Sequence, residues 1–291
     1  MTRASRRWRV AAIQMTSTED REKNLAAAER LARRAAATGA ALVAFPENFT
    51  YIRIQGTKSL HADGLEDEMV GRLRDLSREL GIYLLAGSIP EKIPRSERVH
   101  NTSILISPQG KLLAVYRKMH LFDVQMRGRA VFEESRVVAP GDEPVVVDTP
   151  LGKLGLSVCY DLRFPELYRR LVLAGAEVIF VPSAFTAYTG RHHWMPLLQA
   201  RAIENQCWVV APAQVGVHGP RRESHGHTVV LDPWGRVVAV SEKGEGIVIA
   251  EIDRDHLARI RAGLPCLEHV RPELLGTIGR RRSRAQRSTK E

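Results

Sequence analysis

Short apolar segments alternate with amphipathic segments along most of this 291-residue chain, and this alternation limits its possible folds more than any other feature. Strands are predicted over 9–14, 41–45, 82–89, 102–107, 112–116, 154–158, 178–181, 208–213 and 246–252, and helices over 24–37, 66–80, 165–174, 192–206 and 253–261. Hairpin turns are predicted at 108–110 and 232–235. Strands that alternate with helices, with hairpins between them, favour an α/β fold with mixed sheets and helices on the outside.

The net charge of +10 comes from the two ends of the chain. Four arginines lie at positions 3, 6, 7 and 9, and residues 280–291 carry five net positive charges, which leaves a body close to neutral. Because no linker-like stretch divides that body, we expect one domain over residues 9–272. Residues 1–8 are predicted to be a basic disordered arm and 273–291 a basic tail, disordered from about 280. The near-neutral body indicates no specific nucleic-acid partner.

The cysteines and the hydropathy pattern indicate a cytoplasmic address. Cys159, Cys207 and Cys266 are odd in number and far apart, which is typical of a reducing compartment and not of a disulfide framework. No apolar run approaches the length needed to span a membrane, and no apolar stretch follows the N-terminal arginines. We therefore expect neither a membrane partner nor a secretory signal.

One of the cysteines stands where a predicted strand ends. The apolar run before Cys159 stops abruptly, and Pro165-Glu166 then opens a predicted helix. Nucleophilic Ser and Cys residues often lie at such a strand–turn–helix junction, near helix N–H groups that favour a thiolate. Free cysteine is also among the most buried residue types, so this segment alone leaves a packing role open.

Two other predicted strands also end at ionisable residues. Glu47 follows the strand at 41–45, and Lys118 follows the strand at 112–116. A thiol nucleophile needs a base, and a carboxylate can serve if burial raises its pKa towards neutrality. An ammonium beside it would hold the geometry and stabilise an oxyanion. Taken singly, Glu47 is also typical of a helix entry and Lys118 of an exposed strand end.

The three segments together resemble the Glu-Lys-Cys signature of the nitrilase, or carbon–nitrogen hydrolase, superfamily. They are Phe45 to Phe49, Tyr116 to Asp123 and Cys159 to Leu167, in the order and with the spacing of that family. The likeness runs from about residue 9 to 272 and includes the stretches 182–185, 200–206 and 226–235. Within the superfamily the chain is most similar to the branch of deaminated-glutathione amidases and omega-amidases, and Pro165 and Ser183 favour the former.

This resemblance implies a four-layer α-β-β-α sandwich of two mixed sheets, usually assembled as a homodimer. It also implies an amidase in which Glu47 takes the thiol proton, Cys159 attacks the amide carbonyl, and water hydrolyses the resulting thioester. Lys118 and the backbone N–H of Tyr160 would hold the oxyanion. The family places a second glutamate in the long segment 119–142, where Glu134 matches best, either as a catalytic partner or as a residue that orders the pocket.

Several further residues are candidates for substrate binding. Arg163, four residues after the cysteine, is suited to bind a substrate carboxylate, and it could equally cap a helix or form a structural ion pair. Phe185 belongs to a stretch that the resemblance covers, and Tyr188, Arg191 and His193 are predicted to lie in a loop that lines the pocket.

No metal or organic cofactor is expected. His218, His225 and His227 lack an accompanying Cys or carboxylate ligand pattern, which argues against a zinc site. The chain has no Gly-x-Gly-x-x-Gly after a strand and no P-loop, so a nucleotide cofactor is not predicted either.

Three functions stay open at this point. The resemblance favours hydrolysis of deaminated glutathione to 2-oxoglutarate and cysteinylglycine. The alternative is an omega-amidase that acts on 2-oxoglutaramate or another small carboxylated amide. A non-catalytic interaction scaffold is the distant alternative. The presence of all three reactive residues argues against it, because a scaffold has no use for a buried Glu–Lys–Cys cluster.

Overall fold

The computed structural model describes residues 6–54, 60–125, 131–220, 222–271 and 273. The first strand begins at Arg7, so the predicted arm of residues 1–8 is too long. Arg7 and Trp8 are part of the sheet because they pair with Asp253 and Ile252, and Trp8 is buried. Residues 1–5 and the predicted tail after 273 lie outside the described residues. No helix in the described ranges is long and apolar enough to cross a membrane.

The described residues form sixteen strands, five α-helices and two 3-10 helices. The strands are β1 (Arg7–Met15), β2 (Leu42–Ala44), β3 (Tyr83–Lys92), β4 (Val99–Ile106), β5 (Leu112–Arg117), β6 (Asp123–Gln125), β7 (Val131–Glu133), β8 (Val145–Thr149), β9 (Gly152–Leu156), β10 (Val178–Phe180), β11 (Trp208–Ala211), β12 (Ala213–Gly219), β13 (Arg222–His225), β14 (Thr228–Leu231), β15 (Val237–Ser241) and β16 (Gly246–Asp253). The α-helices are α1 (Arg21–Ala36), α2 (Glu68–Leu80), α3 (Pro165–Leu173), α4 (Ala187–Asn205) and α5 (Arg254–Gly263), and the 3-10 helices are η1 (Glu134–Arg136) and η2 (Cys159–Arg163).

Two mixed sheets form the centre of the fold. The larger has the order β13-β12-β1-β2-β3-β4-β5, and β16 also pairs with β1. The smaller has the order β15-β14-β11-β10-β9-β8, and β6 and β7 form a separate hairpin. Parallel pairs, such as β1 with β2 and β9 with β10, occur beside antiparallel ones, such as β3 with β4 and β8 with β9. The predicted α/β fold with two mixed sheets is confirmed.

Alternation of side chains along the larger sheet divides the apolar interior into two cores. In β1, Val10 and Ala12 belong to the core shared with the smaller sheet, whereas Ala11 and Ile13 belong to the core under α1 and α2. Successive residues of a strand point to opposite faces, so this pattern places a helix layer on one side and a sheet on the other. Helices α3 and α4 contribute Leu171, Trp194 and other residues to the first core, which completes the α-β-β-α arrangement.

The sequence predictions differ from the structure mainly around the site. Helix α4 begins at Ala187, five residues before the predicted start, so Tyr188, Arg191 and His193 lie on a helix and not in a loop. The segment 119–142, predicted to be one long loop, contains β6, β7 and η1. Strand β8 was not predicted, although its five residues pair fully with β9.

Candidate active site

Three strand ends bring the reactive residues together. Glu47 lies three residues after β2, Lys118 directly follows β5, and Cys159 lies three residues after β9. The first two strands belong to the larger sheet and the third to the smaller one, so the site forms where the two sheets meet. Within the larger sheet, glycine at position 87 in β3 lets the residues before Glu47 lie close to that strand, because a Cβ there would lie 2.0 Å from the carbonyl oxygen of Pro46.

Lys118 is the centre of a buried ionic cluster. Its Nζ donates to Oε1 of Glu47 at 2.9 Å and to Oε1 and Oε2 of Glu134 at 3.1 and 2.9 Å. The Asn101 amide donates to Oε1 of both carboxylates, at 2.9 and 3.3 Å. The second oxygen of Glu47 accepts the backbone N–H of Ala184 at 2.9 Å. The cluster therefore places two carboxylates around one ammonium, and Asn101 is a member that the sequence analysis missed.

Electrostatics in this cluster keep the proton on sulfur. Burial raises the pKa of Glu47, but the charge of Lys118 and hydrogen bonds from Cys159, Lys118 and Ala184 outweigh it, and the net direction is downward. Burial and the charge of Glu47 raise the pKa of the Cys159 thiol well above its usual value. Burial lowers the pKa of Lys118, but the charges of Glu134 and Glu47 outweigh it and hold the pKa well above its usual range.

In the free protein, therefore, the condition that burial raises the carboxylate pKa is not met, and the turn does not hold a thiolate. Cys159 is a thiol that hydrogen-bonds an ionised carboxylate, because a thiolate in this buried place would face the negative charge of Glu47. This arrangement still suits base catalysis, since Glu47 is deprotonated and already accepts a hydrogen bond from the thiol whose proton it must remove.

The backbone at Cys159 is held in a conformation that few residues adopt. Its φ is +49°, in the left-handed region. Its N–H donates to the carbonyl oxygen of Pro182 at 3.0 Å. The next residue, Tyr160, lies near the N-terminus of η2, and within the described part of the chain its N–H meets no acceptor. The turn therefore offers a free backbone donor beside the sulfur, in the place that the resemblance implies for an oxyanion.

Asp161 fixes this turn, and the sequence analysis did not single it out. Its carboxylate is fully buried and accepts four hydrogen bonds. Oδ2 accepts from the Val158 N–H at 2.8 Å and the Tyr116 hydroxyl at 2.7 Å, and Oδ1 accepts from the His120 N–H at 3.0 Å and its Nδ1 at 2.8 Å. Asp161 thereby ties the cysteine turn to the segment that carries Lys118. An aspartate three residues after the predicted strand at 154–158 was the only signal available in the sequence.

A cavity of about 1140 Å³ opens onto this cluster. Phe185 and Tyr188 line it, as predicted substrate-binding residues, and so does Arg163. The Arg163 guanidinium carbon lies 5.0 Å from the centroid of the Phe185 ring, and among the described residues no carboxylate pairs with it. The structure thus gives no support to the helix-cap or ion-pair alternative for Arg163.

His193 does not reach the cavity wall. Its Nδ1 lies 3.1 Å from Nη1 of Arg163, so it contacts an arginine of the cavity wall without lining the cavity itself. The other histidines have local partners: His218 bridges the Ser17 carbonyl oxygen and the Ser224 hydroxyl, and the rings of His225 and His227 stack 4.1 Å apart. Among the described residues no group of three or more His, Cys, Asp or Glu side chains is arranged to hold a metal ion.

The sequence matches a known family model. Residues 9–262 match the model described as carbon–nitrogen hydrolase, which covers most of the chain. The chain is 45% identical over 262 residues to a deaminated glutathione amidase of Synechocystis sp., covering 89% of this chain and 96% of that protein. It is 43% identical over 277 residues to a deaminated glutathione amidase of Homo sapiens, covering 93% of this chain and 84% of that one.

Solved structures show the same architecture. The Saccharomyces cerevisiae Nit3 protein, described as a member of branch 10 of the nitrilase superfamily, aligns with a TM-score of 0.81 and 33% identity, covering 91% of this chain and 97% of that one. The Caenorhabditis elegans NitFhit protein aligns with a TM-score of 0.87 and 41% identity, covering 92% of this chain and 66% of that one.

Proposed function

The chain belongs to the carbon–nitrogen hydrolase family and is an amidase of the nitrilase superfamily, and from this premise we propose that it hydrolyses deaminated glutathione to 2-oxoglutarate and cysteinylglycine. The observation that carries the chemistry is the hydrogen-bonded chain from Cys159 through Glu47 to Lys118 at the base of an open cavity. The relatives named deaminated glutathione amidase support the substrate. Arg163 and Arg222 support it too, because both lie in the cavity wall and neither pairs with a carboxylate among the described residues.

Acylation follows from the geometry of the cluster. Glu47 accepts the proton of the Cys159 thiol as the sulfur attacks the amide carbonyl carbon. The oxygen of that carbonyl becomes an oxyanion, which Lys118 and the Tyr160 N–H stabilise. Glu47 then gives its proton to the leaving nitrogen, the C–N bond breaks, and the acyl group stays on sulfur as a thioester.

Deacylation uses the same carboxylate again. After proton transfer to the leaving amine, Glu47 is ionised and can accept a proton from water as the water attacks the thioester carbonyl. The C–S bond breaks and the thiol recovers its proton from Glu47. Glu134 does not contact the sulfur in this scheme, and its role is to hold Lys118 and, at 2.6 Å, the Phe122 N–H.

Turnover by the purified protein tests this proposal. We expect the wild type to release 2-oxoglutarate from deaminated glutathione with a higher kcat/KM than from 2-oxoglutaramate, and Cys159→Ala to release none. A wild type that prefers 2-oxoglutaramate would move the assignment to the omega-amidase alternative with the mechanism intact. Turnover retained in Cys159→Ala would refute the mechanism itself.

Assembly as a homodimer and a cytoplasmic location are further parts of the proposal. Ile203 on α4 and Trp234 in the neighbouring turn are about half exposed, at 53% and 50%, and neighbouring exposed apolar side chains mark a candidate contact surface. Light scattering of the wild type and of Ile203→Glu tests the dimer, which we expect only for the wild type. Three cysteines without a disulfide support the cytoplasm, and cell fractionation tests it.

A further inference from the structure

Arg222 is a cation in the cavity wall that the proposed chemistry does not use. It is the first residue of β13, it lines the cavity, and its Nη1 donates to the carbonyl oxygen of Arg53 at 2.5 Å. In the described ranges of the chain no carboxylate lies within ion-pairing distance of its guanidinium. Burial lowers the pKa of Arg222, and its partly buried charge faces the cavity without a contacting anion among the described residues. A charged guanidinium without a carboxylate partner is suited to bind the anionic group of a ligand.

Arg222 and Arg163 approach Cys159 from different elements. Arg163 is the last residue of η2, and its guanidinium carbon is 5.8 Å from the centroid of the Tyr160 ring. Arg222 lies on β13, and its hydrogen bond to the Arg53 carbonyl oxygen holds it against the segment that follows Glu47. The charges of Glu47, Glu134 and Cys159 act on Arg222. The cavity therefore has one arginine on the cysteine turn and another against the segment that follows Glu47.

The proton transfers decide which half of the substrate lies at which arginine. Glu47 must reach the leaving nitrogen to protonate it, so the leaving group has to extend on the side of Glu47. The acyl group stays on Cys159 and extends on the other side. Deaminated glutathione has a carboxylate at each end: the 2-oxo acid in the acyl half and the glycine carboxylate in the leaving half. Two separate guanidinium groups match two separate carboxylates.

We propose that Arg222 binds the terminal carboxylate of the leaving group, and thereby selects substrates whose amide nitrogen carries a carboxylated substituent. Arg163 then binds the carboxylate of the acyl half. This inference rests on the proposed function, because it assigns the two halves of that substrate. It makes Arg222 a specificity-determining residue, since ammonia, the leaving group of 2-oxoglutaramate, offers no carboxylate to bind.

A pair of substrates with a common acyl half isolates this contact. Deaminated glutathione and 2-oxoglutaramate form the same thioester on Cys159, so deacylation is identical and only steps that involve the leaving group differ. We expect Arg222→Gln to lower the preference for deaminated glutathione over 2-oxoglutaramate, measured as the ratio of kcat/KM values, by about 10- to 150-fold. The loss should lie in KM, because the carboxylate is bound equally before and during the reaction.

Three variants serve as controls. Arg222→Lys keeps the charge but loses the planar pair of donors, so it should restore part of the preference. Arg163→Gln should lower kcat/KM for both substrates and leave their ratio nearly unchanged. Arg136→Gln removes a cavity arginine that already pairs with Glu133 at 2.9 Å, and it should leave the ratio unchanged.

The outcomes separate this inference from the proposed function. If the wild type hydrolyses deaminated glutathione but Arg222→Gln leaves the ratio unchanged, or lowers both kcat/KM values equally, the assignment of Arg222 is wrong and the proposed function stands. If the wild type hydrolyses only 2-oxoglutaramate, or neither substrate, the proposed function fails and the assignment of Arg222 fails with it.

Discussion

Replacement of Asp161 by asparagine tests whether this carboxylate holds the active-site turn. The side chain is 0% exposed and accepts four hydrogen bonds, two on each oxygen. Asparagine has one acceptor oxygen, so its NH₂ group must face two of the present donors. The less costly orientation turns the NH₂ towards His120, because the imidazole can change tautomer and accept a hydrogen bond at Nδ1.

The expected cost follows from what that orientation leaves unpaired. The backbone N–H of His120 loses its acceptor in a partly buried place, which costs about 1–3 kcal/mol. The Val158 N–H and the Tyr116 hydroxyl keep an oxygen, but a neutral one, which costs about 1 kcal/mol more. We therefore expect Asp161→Asn to lower the free energy of unfolding by about 2–4 kcal/mol, a large share of the 5–15 kcal/mol that is typical of a native protein.

Urea unfolding followed by circular dichroism measures this difference, and Tyr116→Phe is the matched control. The control removes one donor and leaves Oδ2 paired with the Val158 N–H, so it should cost only about 0.5–1.5 kcal/mol. kcat/KM should also fall in Asp161→Asn, because His120 is two residues from Lys118. A loss of stability in Asp161→Asn no larger than that in Tyr116→Phe would refute the reasoning.

Three further predictions concern the same cluster. kcat/KM should be constant between about pH 4.5 and 9.0, because the pKa of Glu47 is lowered from 4.5 and that of Cys159 is raised from 9.0. A rise or fall of kcat/KM at pH 6–7 would contradict this protonation state. Glu134→Gln should lower kcat about 10- to 150-fold, because Lys118 then pairs with Glu47 alone and makes Glu47 a weaker base. The control Glu133→Gln, at an exposed position, should have little effect on kcat. Gly87→Ala should destabilise the fold by roughly 1–3 kcal/mol or more, measured by thermal unfolding, because the new methyl meets the Pro46 carbonyl oxygen.

The sequence was most informative where structure depends on local contacts. Helices α1, α2 and α3 lie within three residues of their predicted bounds, because periodicity and stop signals such as Gly81 are local. Helix α4 was predicted five residues short, since a helix with Pro196 inside it and buried residues spread along its length lacks a clear apolar stripe. Strand β8 was missed although a run of three valines at 145–147 lies between Pro144 and the turn residues Pro150 and Gly152, which is a signal of a short strand.

In the candidate site, too, the local features could be predicted from the sequence, and the long-range contacts could not. Each of Glu47, Lys118 and Cys159 was recognisable as a residue at a strand end, but their meeting depends on two sheets facing one another, and only the family resemblance implied that. Asp161 and Arg222 were missed because their roles depend on partners far away in the chain. The sequence analysis considered only the effect of burial on the pKa of Glu47, and the charge of Lys118 reverses that effect.

The protonation state of the cluster suggests why two glutamates surround one lysine. Before attack the cluster holds two carboxylates, one ammonium and a neutral thiol. In the proposed tetrahedral intermediate Glu47 is neutral and an oxyanion has formed, so the negative charge has moved but its total is unchanged. Because both positions adjoin the Lys118 ammonium, the surroundings need little rearrangement as the charge shifts. Glu134 keeps Lys118 in place during that exchange, when the lysine loses the charge of Glu47 and gains that of the oxyanion.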